Sequence, residues 1–483
     1  MSDARPNVLL ITTDQQRFDT IAALGNPCID TPHLDWLVDE GITFTRAYAD
    51  CPVCMPSRTT LMTGLSGASL GMTGNDPSVY PLPHHATLPA LLAASGYQTH
   101  AQGKMHFRPI RARYGFESME LPLDYYRERR RLSTGDASMP KQHGVGENEM
   151  QAVISTVAAT ESLTHWTVKR TIDAIETRDP TRPFFLWTSF TKPHPPFDPP
   201  PSFWSLYQGR TVPAPTYGDW SQDVDTIPHD LLAPTYLLNN AHRMSAESLQ
   251  QSMRAYYACI THIDYELGLL FARMREMDLL ANTWIIFTSD HGEMLGDHHM
   301  GGKSLFFEGS AHVPLIVRPP ADPWVRHPDG NRRITTIVSL ADVVPTILAR
   351  AGVPASPITT PDGADLLTYC KQADHKRDLV GECGDIGAVI TQRFSYHYCA
   401  GGAVELLFDH QYDPMQRHNL AGQPEHAALQ ERLRRRLVTV LEQRRGTLVH
   451  NGQLREQDPM RGPSDVARWP GFHSLDVASD VLH

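Results

Sequence analysis

A chain of 483 residues, 41% of them hydrophobic and 20% charged, has material for a large core. At roughly 100–200 residues per domain it predicts one large α/β unit with a smaller partner. The formal net charge of −11 argues against nucleic acid as a partner, because phosphates would repel it, yet it permits a local positive pocket for a small anion.

Four segments share one shape, an apolar or β-branched run that ends abruptly in polar chemistry. Val8-Leu9-Leu10-Ile11-Thr12-Thr13 stops at Asp14. Tyr97-Gln98-Thr99-His100-Ala101 leads to Lys104 and His106. Phe184-Phe185-Leu186-Trp187-Thr188-Ser189 leads to Lys192 and His194. Trp284-Ile285-Ile286-Phe287-Thr288-Ser289 stops at Asp290-His291. Short continuous apolar runs suit strands buried on both faces, as in a parallel sheet covered by helices. Ligands of such sheets bind beyond the carboxyl ends of the strands, so the four polar clusters are expected along one sheet edge.

Helical patterns lie between these strands. Thr31 is a candidate cap for a helix with Pro32 at its first position, Leu34, Leu37 and Val38 on one face and Gly41 at its end. Thr87 to Ser95, closed by Gly96, reads the same way. Ser245 to about Met277 is long and periodic, and a helix near Ala341–Ala351 ends at Gly352. The segment 195–230 reads as long loops. After about residue 375, short strands (Leu379–Cys383, Ala388–Gln392, Ser395–Cys399, Val404–Phe408) and a charged helix over 424–445 predict a small antiparallel α+β domain. Residues 446–483 read as a tail, whose Trp469-Pro470-Gly471-Phe472-His473 is a candidate to cross to a second subunit of a homo-oligomer. The expected division is therefore 1–375, 376–445 and 446–483.

No stretch reaches the ~20 apolar residues of a membrane helix, and Met1-Ser2-Asp3-Ala4-Arg5-Pro6-Asn7 does not read as a secretory leader. Seven cysteines (Cys28, Cys51, Cys54, Cys259, Cys370, Cys383 and Cys399) at irregular spacings show no disulfide framework. A cytoplasmic protein with no membrane contact is expected.

The most specific element is Cys54-Met55-Pro56-Ser57-Arg58, followed by Thr59-Thr60-Leu61-Met62-Thr63-Gly64. Cys51-Pro52-Val53-Cys54 also fits a redox pair or half a zinc site, but no second cysteine pair accompanies it. The run from Cys54 resembles the motif of type I sulfatases, in which a cysteine two residues before Pro and four before Arg is oxidised to formylglycine. The resemblance extends from about Pro6 to Ala421. It takes in Asp14, Gly103-Lys104-Met105-His106, Lys192-Pro193-His194-Pro195-Pro196-Phe197, Ser289-Asp290-His291-Gly292-Glu293 and Lys303. It also takes in Leu340-Ala341-Asp342-Val343-Val344-Pro345-Thr346 and Tyr412-Asp413-Pro414 with Asn419-Leu420. It implies an α/β fold of the alkaline-phosphatase/sulfatase kind, with a large mixed, mostly parallel central sheet flanked by helices and a smaller C-terminal antiparallel α+β domain.

The resemblance also implies roles. Sulfate monoesters react slowly, and an enzyme must accelerate their hydrolysis at least ~10⁶-fold. An aldehyde at residue 54 hydrates to a geminal diol. One hydroxyl attacks sulfur; the other later loses its proton, so that sulfate leaves and the aldehyde re-forms. Asp14, Asp290, His291 and residue 54 ligate one divalent cation, Ca²⁺ or Mn²⁺, with Gln15 as a fifth contact. Gln15 and His291 depart from the commoner paired aspartates and Asp-Asn, and an imidazole ligand tilts preference towards Mn²⁺. Arg58 holds the diol, Lys104 and Lys303 bind sulfate oxygens, His194 protonates the leaving oxygen, and His106 takes the diol proton. Asn75 is a candidate substrate contact that the residues alone do not separate from a turn residue. The partners implied are a small-molecule sulfate ester and a formylglycine-generating enzyme for maturation. A phosphonate monoester or phosphodiester hydrolase of the same superfamily is the alternative, and Lys104 counts against it. Trp204, Tyr207, Trp220 and Tyr236 are candidate aromatic walls for a sugar or a quaternary amine.

Overall fold

The computed structural model describes residues 5–83, 87–132, 145–146, 148–236, 241–321, 330–354, 362–371 and 377–459. An eight-stranded sheet runs in the order Arg332–Ile334, Ile42–Phe44, Leu315–Arg318, Thr283–Ser289, Asn7–Asp14, Phe184–Pro193, Gln98–Gly103, Ser118–Glu120. Leu315–Arg318 is antiparallel to both its neighbours and every other pairing is parallel. The four strands picked out by their apolar runs are thus four consecutive members of one sheet, ending on the same edge.

The apolar runs are continuous because both faces of this sheet are covered. Val8, Leu10, Phe185 and Trp187 point into a core with Leu61, Met62, Leu88, Leu92, Val344 and Ile347. Their neighbours Leu9, Ile11 and Leu186 point the other way, onto Leu34, Leu37, Val168, Ile263 and Leu267. Fully burying each such side chain contributes about 1.5–3 kcal/mol, which explains why no polar residue interrupts the Val8–Ile11 run.

The helices follow the sequence pattern with informative differences. The long helix is Ala246–Glu276, capped by Ser245, whose hydroxyl accepts from Ser248 N–H. The helix Pro32–Glu40 starts where expected, but Thr31 does not cap it. Its first amides instead meet Asp264 of the long helix, whose Oδ1 accepts from Leu34 N–H at 2.7 Å and His33 N–H at 3.1 Å. Gly41 ends that helix in an extended backbone (φ −119). The reason for glycine there is room, since a Cβ would lie 2.6 Å from the Leu37 carbonyl. Within 195–230, expected as loops, the chain forms the helix Pro201–Tyr207 and a short turn of helix at Val224–Thr226, and His229–Tyr236 begins a third. The prolines hide Pro201–Tyr207 in the sequence; Pro201 occupies its first turn, where a missing N–H costs nothing, and Tyr207 is buried with its hydroxyl paired to Thr261.

A separate four-stranded antiparallel sheet runs in chain order through Leu379–Cys383, Ile386–Ile390, Phe394–Cys399 and Val404–Asp409. One face packs on Leu433, Leu437 and Leu441 of the helix Ala427–Arg444. The other packs Ile386, Ala388, Ile390 and Phe408 against Tyr48, Phe306 and Phe307 of the larger unit. The second strand starts two residues earlier than expected, at Ile386, where its pairing with Cys383 and Cys399 begins; Gly387 within it lies where a Cβ would meet Leu448 and Leu437. The described part of the tail folds back: Thr447 and Leu448 N–H both donate to buried Glu382, and Val449–His450 pairs with Gln453–Leu454. The tail aromatics Trp469 and Phe472, and the boundary at 375, lie outside the described residues. Among the described residues no helix is long and apolar enough to cross a membrane.

The cross-chain cap gives a stability prediction. Asp264→Ala removes the acceptor for two amides of the Pro32–Glu40 helix and lowers unfolding free energy by about 1–2 kcal/mol in denaturant titration. An unchanged midpoint would contradict this account of how the helix begins.

Candidate active site

Each reactive residue sits where a strand stops. Asp14 is the last residue of Asn7–Asp14, and Asp290-His291 follow Thr283–Ser289 directly. Lys104 follows Gly103, the last residue of Gln98–Gly103, and His194 follows Phe184–Pro193. Gly103 has a left-handed backbone (φ +92), and a Cβ there would lie 2.0 Å from the Ser189 carbonyl. Only glycine allows the chain to turn so close to the neighbouring strand.

Cys54 opens the helix Cys54–Thr63, all ten residues of which are buried. Its Sγ is 3.2 Å from His291 Nε2 and 3.8 Å from Asp14 Oδ1. Ligating atoms of Asp14, Cys54, Asp290 and His291 all lie within 4.8 Å of one another. The His291 Nδ1 faces the Gly292 carbonyl at 2.9 Å. A carbonyl only accepts, so Nδ1 carries the proton and Nε2 presents its lone pair to the cluster. Two buried carboxylates and an imidazole lone pair around one point form a donor set that fits a divalent cation.

Arg58 lies one turn along the helix from Cys54 and is fully buried. Its guanidinium donates to Asp290 Oδ2 (2.9 Å), Asp14 Oδ2 (3.3 Å), the Lys104 carbonyl (2.6 Å) and Ser189 Oγ (2.7 Å). Lys104 Nζ reaches Asp14 Oδ2 at 2.6 Å. Burial disfavours the Asp14 charge, but Lys104, His194, Arg58 and Lys303 outweigh it and hold the carboxyl well below its usual range. Asp290 goes the other way, pushed up by burial and by Asp14, which is the mark of two carboxylates short of positive charge. Burial and Asp14 would raise the Cys54 thiol, yet Lys303, Lys104 and His291 bring it down to about 6, so residue 54 is an activated sulfur.

Lys303 is buried and donates to Gln15 Oε1 at 2.7 Å. Gln15 itself has a left-handed backbone (φ +73), which costs of order 1 kcal/mol or more. The fold holds it there: its N–H donates to Asp290 Oδ1 at 3.0 Å and its carbonyl accepts from Tyr256 Oη at 2.6 Å. His194 is buried, with Nδ1 on the Pro195 carbonyl at 2.8 Å. Burial, then the Lys303 and Lys104 ammoniums, push its imidazolium well below the ordinary range; an anion between the two lysines reverses their share. His106 is buried on the loop after Gly103, with φ +59. Asn75 is exposed, and its Oδ1 accepts from Met55 N–H at 3.0 Å, bracing the start of the Cys54 helix.

Other supports have little or no trace in the sequence. Glu293 is buried, accepts from Leu295 and Gly302 N–H, and receives Gln15 Nε2, so it ties Gln15 to the loop that carries Lys303. Its place in Asp290-His291-Gly292-Glu293 was a signal, but its role was not legible. Ser189 and Tyr256 carry no motif at all. Of the candidate aromatic walls, Tyr207 is buried in packing, and Trp220 stacks on Phe307 with its Nε1 on the Gln416 carbonyl. Trp204 is half-buried against the long helix's core, and the side chain of Tyr236 lies outside the described set.

Comparisons with known proteins agree with this geometry. The sequence profile of the Sulfatase family matches residues 6–353. An arylsulfatase of Clostridium perfringens is 30% identical, covering 94% of this chain and 98% of that protein. A choline-sulfatase of Rhizobium meliloti is 28% identical over 88% of this chain and 84% of its own. The crystal structure of the phosphonate monoester hydrolase of Agrobacterium radiobacter superposes with a TM-score of 0.76 at 26% identity, covering 91% of this chain and 96% of that one. With its strand-end carboxylates, buried Arg58 and helix-opening Cys54 in one cluster, the chain belongs to the sulfatase family of the alkaline phosphatase superfamily and is a sulfuric ester hydrolase.

Proposed function

We propose that the chain hydrolyses a small sulfate monoester with a formylglycine made from Cys54 and one divalent cation, Ca²⁺ or Mn²⁺. The observation that carries this reading is the gathering of Cys54, Asp14, Asp290 and His291 into one buried cluster beside two lysines. Asp14, Asp290, His291 and residue 54 would hold the ion, with Gln15 at their edge. When present, the hydrated aldehyde supplies a diol nucleophile, and the cation makes one of its hydroxyls acidic enough to act near neutral pH. A formylglycine-generating enzyme is the maturation partner; Cys54 is buried in the fold, so it would meet that enzyme before the site closes.

The chain's own residues do the rest. Arg58 fixes the two carboxylates and offsets their charge. Lys104 and Lys303 bind sulfate oxygens and stabilise the negative charge that grows on them, and the N-terminus of the Cys54–Thr63 helix adds to that field. His194, with Nδ1–H committed to the Pro195 carbonyl, carries a proton on Nε2 only as the imidazolium; a bound sulfate that offsets Lys303 and Lys104 favours that form, and its Nε2 then gives the proton to the leaving oxygen. His106 takes the proton of the second hydroxyl. Similarity to an arylsulfatase and a choline-sulfatase supports an aryl or small alkyl sulfate as the substrate class. Cys28, Cys51, Cys54, Cys259, Cys383 and Cys399 are free thiols, which supports a cytoplasmic home for the enzyme.

Three outcomes are expected. Mass spectrometry of the peptide containing residue 54 finds an aldehyde in place of the thiol, and Cys54→Ala abolishes turnover; a fully active enzyme with an unmodified thiol ends this reading. His194→Ala loses about 10²–10⁴-fold in kcat/KM on alkyl sulfates and far less on an aryl sulfate with an acidic phenol, and equal losses on both would remove His194 from the acid role. Chelated enzyme regains activity with Ca²⁺ or Mn²⁺ and then turns over an aryl sulfate faster than the matching aryl phosphonate ester. The reverse preference would favour the phosphonate hydrolase alternative.

A further inference from the structure

The loop that carries His194 has a backbone problem of its own making. Pro193, Pro195, Pro196, Pro199, Pro200 and Pro201 have no N–H, so the segment offers carbonyl acceptors with few donors to match them. Buried carbonyls need partners, and here each partner comes from a different place. The Pro195 carbonyl takes His194 Nδ1. The Phe197 and Pro199 carbonyls take Val153 and Ser155 N–H at 3.1 and 3.0 Å. The carbonyls of His194 and Pro196 are left, and one side chain serves both: Lys192 Nζ lies 3.3 Å from the first and 2.6 Å from the second.

The same ammonium is paired with Asp198. A lysine ammonium has three donor hydrogens and no acceptor, and three acceptors are now assigned to it: His194 O, Pro196 O and the Asp198 carboxylate. It is therefore committed to its own loop and not to a substrate anion. Asp198 closes the loop from the far side, since its ion pair with Lys192 spans the whole turn from 192 to 198. Behind the turn, Pro195, Lys192 and Asp198 line a cavity of about 70 Å³ together with Cys259 and His262 of the long helix. Protein side chains do not close over the turn at this cleft, so charge-assisted hydrogen bonds contribute to holding it.

We propose that Lys192 is a positioning residue for the general-acid step: its ammonium bridges the backbone on both sides of the His194-Pro195-Pro196 turn and aims the imidazole at the leaving group. In that step an oxygen of residue 54 bonds to sulfur as the ester S–O bond breaks, the electron pair of that bond goes to the leaving oxygen, and that oxygen takes the proton from Nε2 of the His194 imidazolium, which is left neutral with its proton on Nδ1. Lys192 keeps its three protons throughout. A displaced imidazole weakens proton transfer steeply, because catalytic alignment tolerates only a fraction of an ångström. The cost falls on esters whose leaving oxygen needs the proton and spares those that leave as stable anions. This inference rests on the acid role proposed for His194.

The test is a plot of kcat/KM against leaving-group pKa for a series of aryl and alkyl sulfates. It compares the unmodified enzyme with Lys192→Met, Lys192→Gln, Lys192→Arg and His194→Ala, with a thermal midpoint recorded for each. Lys192→Met is expected to lose about tenfold or more on the poorest leaving groups, part of what the general acid supplies, and little on the most acidic phenols. Lys192→Arg recovers part of that loss. A uniform drop along the series means that Lys192 only stabilises the fold and overturns the proposal, as does a series with no loss anywhere. If Lys192→Met does not fold, Lys192→Gln is read by the same criterion, since its amide keeps two donor hydrogens but no charge. A leaving-group-dependent loss in His194→Ala without one at position 192 sinks only the positioning role. If His194→Ala shows no such dependence, the acid assignment itself fails and takes this inference with it.

Discussion

The site is organised around one fully buried guanidinium. Arg58 touches the ends of two strands through Asp14 and Asp290, and the edges of two more through Ser189 and the Lys104 carbonyl. Removing one partner from a buried ion pair costs about 3–5 kcal/mol, because the other charge is left without compensation. Here the consequence would be larger in kind, since two carboxylates share the same cation. The rest of the arrangement follows from that constraint: Asp14 keeps its charge in a water-poor place, and residue 54 is set beside the two carboxyl groups by a single helical turn.

Charge in this pocket is balanced by position and not by number. A protein with a formal net charge of −11 concentrates Arg58, Lys104 and Lys303 at one sheet edge, where Asp14 and Asp290 hold them apart from solvent. The opposite displacements of the two carboxyl groups, Asp14 down and Asp290 up, have one physical origin. Lys104 and Arg58 both pair with Asp14, with His194 and Lys303 adding to them, whereas Asp290 has burial and the Asp14 charge against it and pairs with Arg58 alone among these cations. A divalent ion and an anionic substrate would complete a set of alternating charges that the chain alone leaves unfinished.

The supports are spread over the whole molecule. Tyr256 reaches from the middle of the long helix to hold Gln15 in its left-handed backbone. Glu293 ties that same residue to the Lys303 loop, and Asn75 secures the first turn of the Cys54 helix. The small C-terminal sheet packs on Phe306 and Phe307, a few residues beyond Lys303. A site of this kind is pre-organised by the groups that hold its reacting residues in place.

The strands and the residues that end them were legible in the sequence. Apolar runs such as Val8–Ile11 read as strands buried on both faces, and the motif from Cys54 to Arg58 marked both residues for the site, while the helical turn that joins them is seen only in the fold. Helix limits carried by local chemistry, such as Ser245 before Ala246–Glu276, were equally legible. What only the tertiary structure decided depends on partners far along the chain. Thr31 looked like a cap, yet Asp264 does the capping. Prolines suggested a loop where Pro201–Tyr207 is a helix, because the burial of Tyr207 outweighs local preference. The tail after Gly446 had no pattern of its own, since Glu382 supplies the acceptor that folds it back. Periodicity and short motifs record what a residue needs from its immediate neighbours; a hydrogen-bond acceptor contributed from two hundred residues away leaves no such record until the sheet brings the strand ends together.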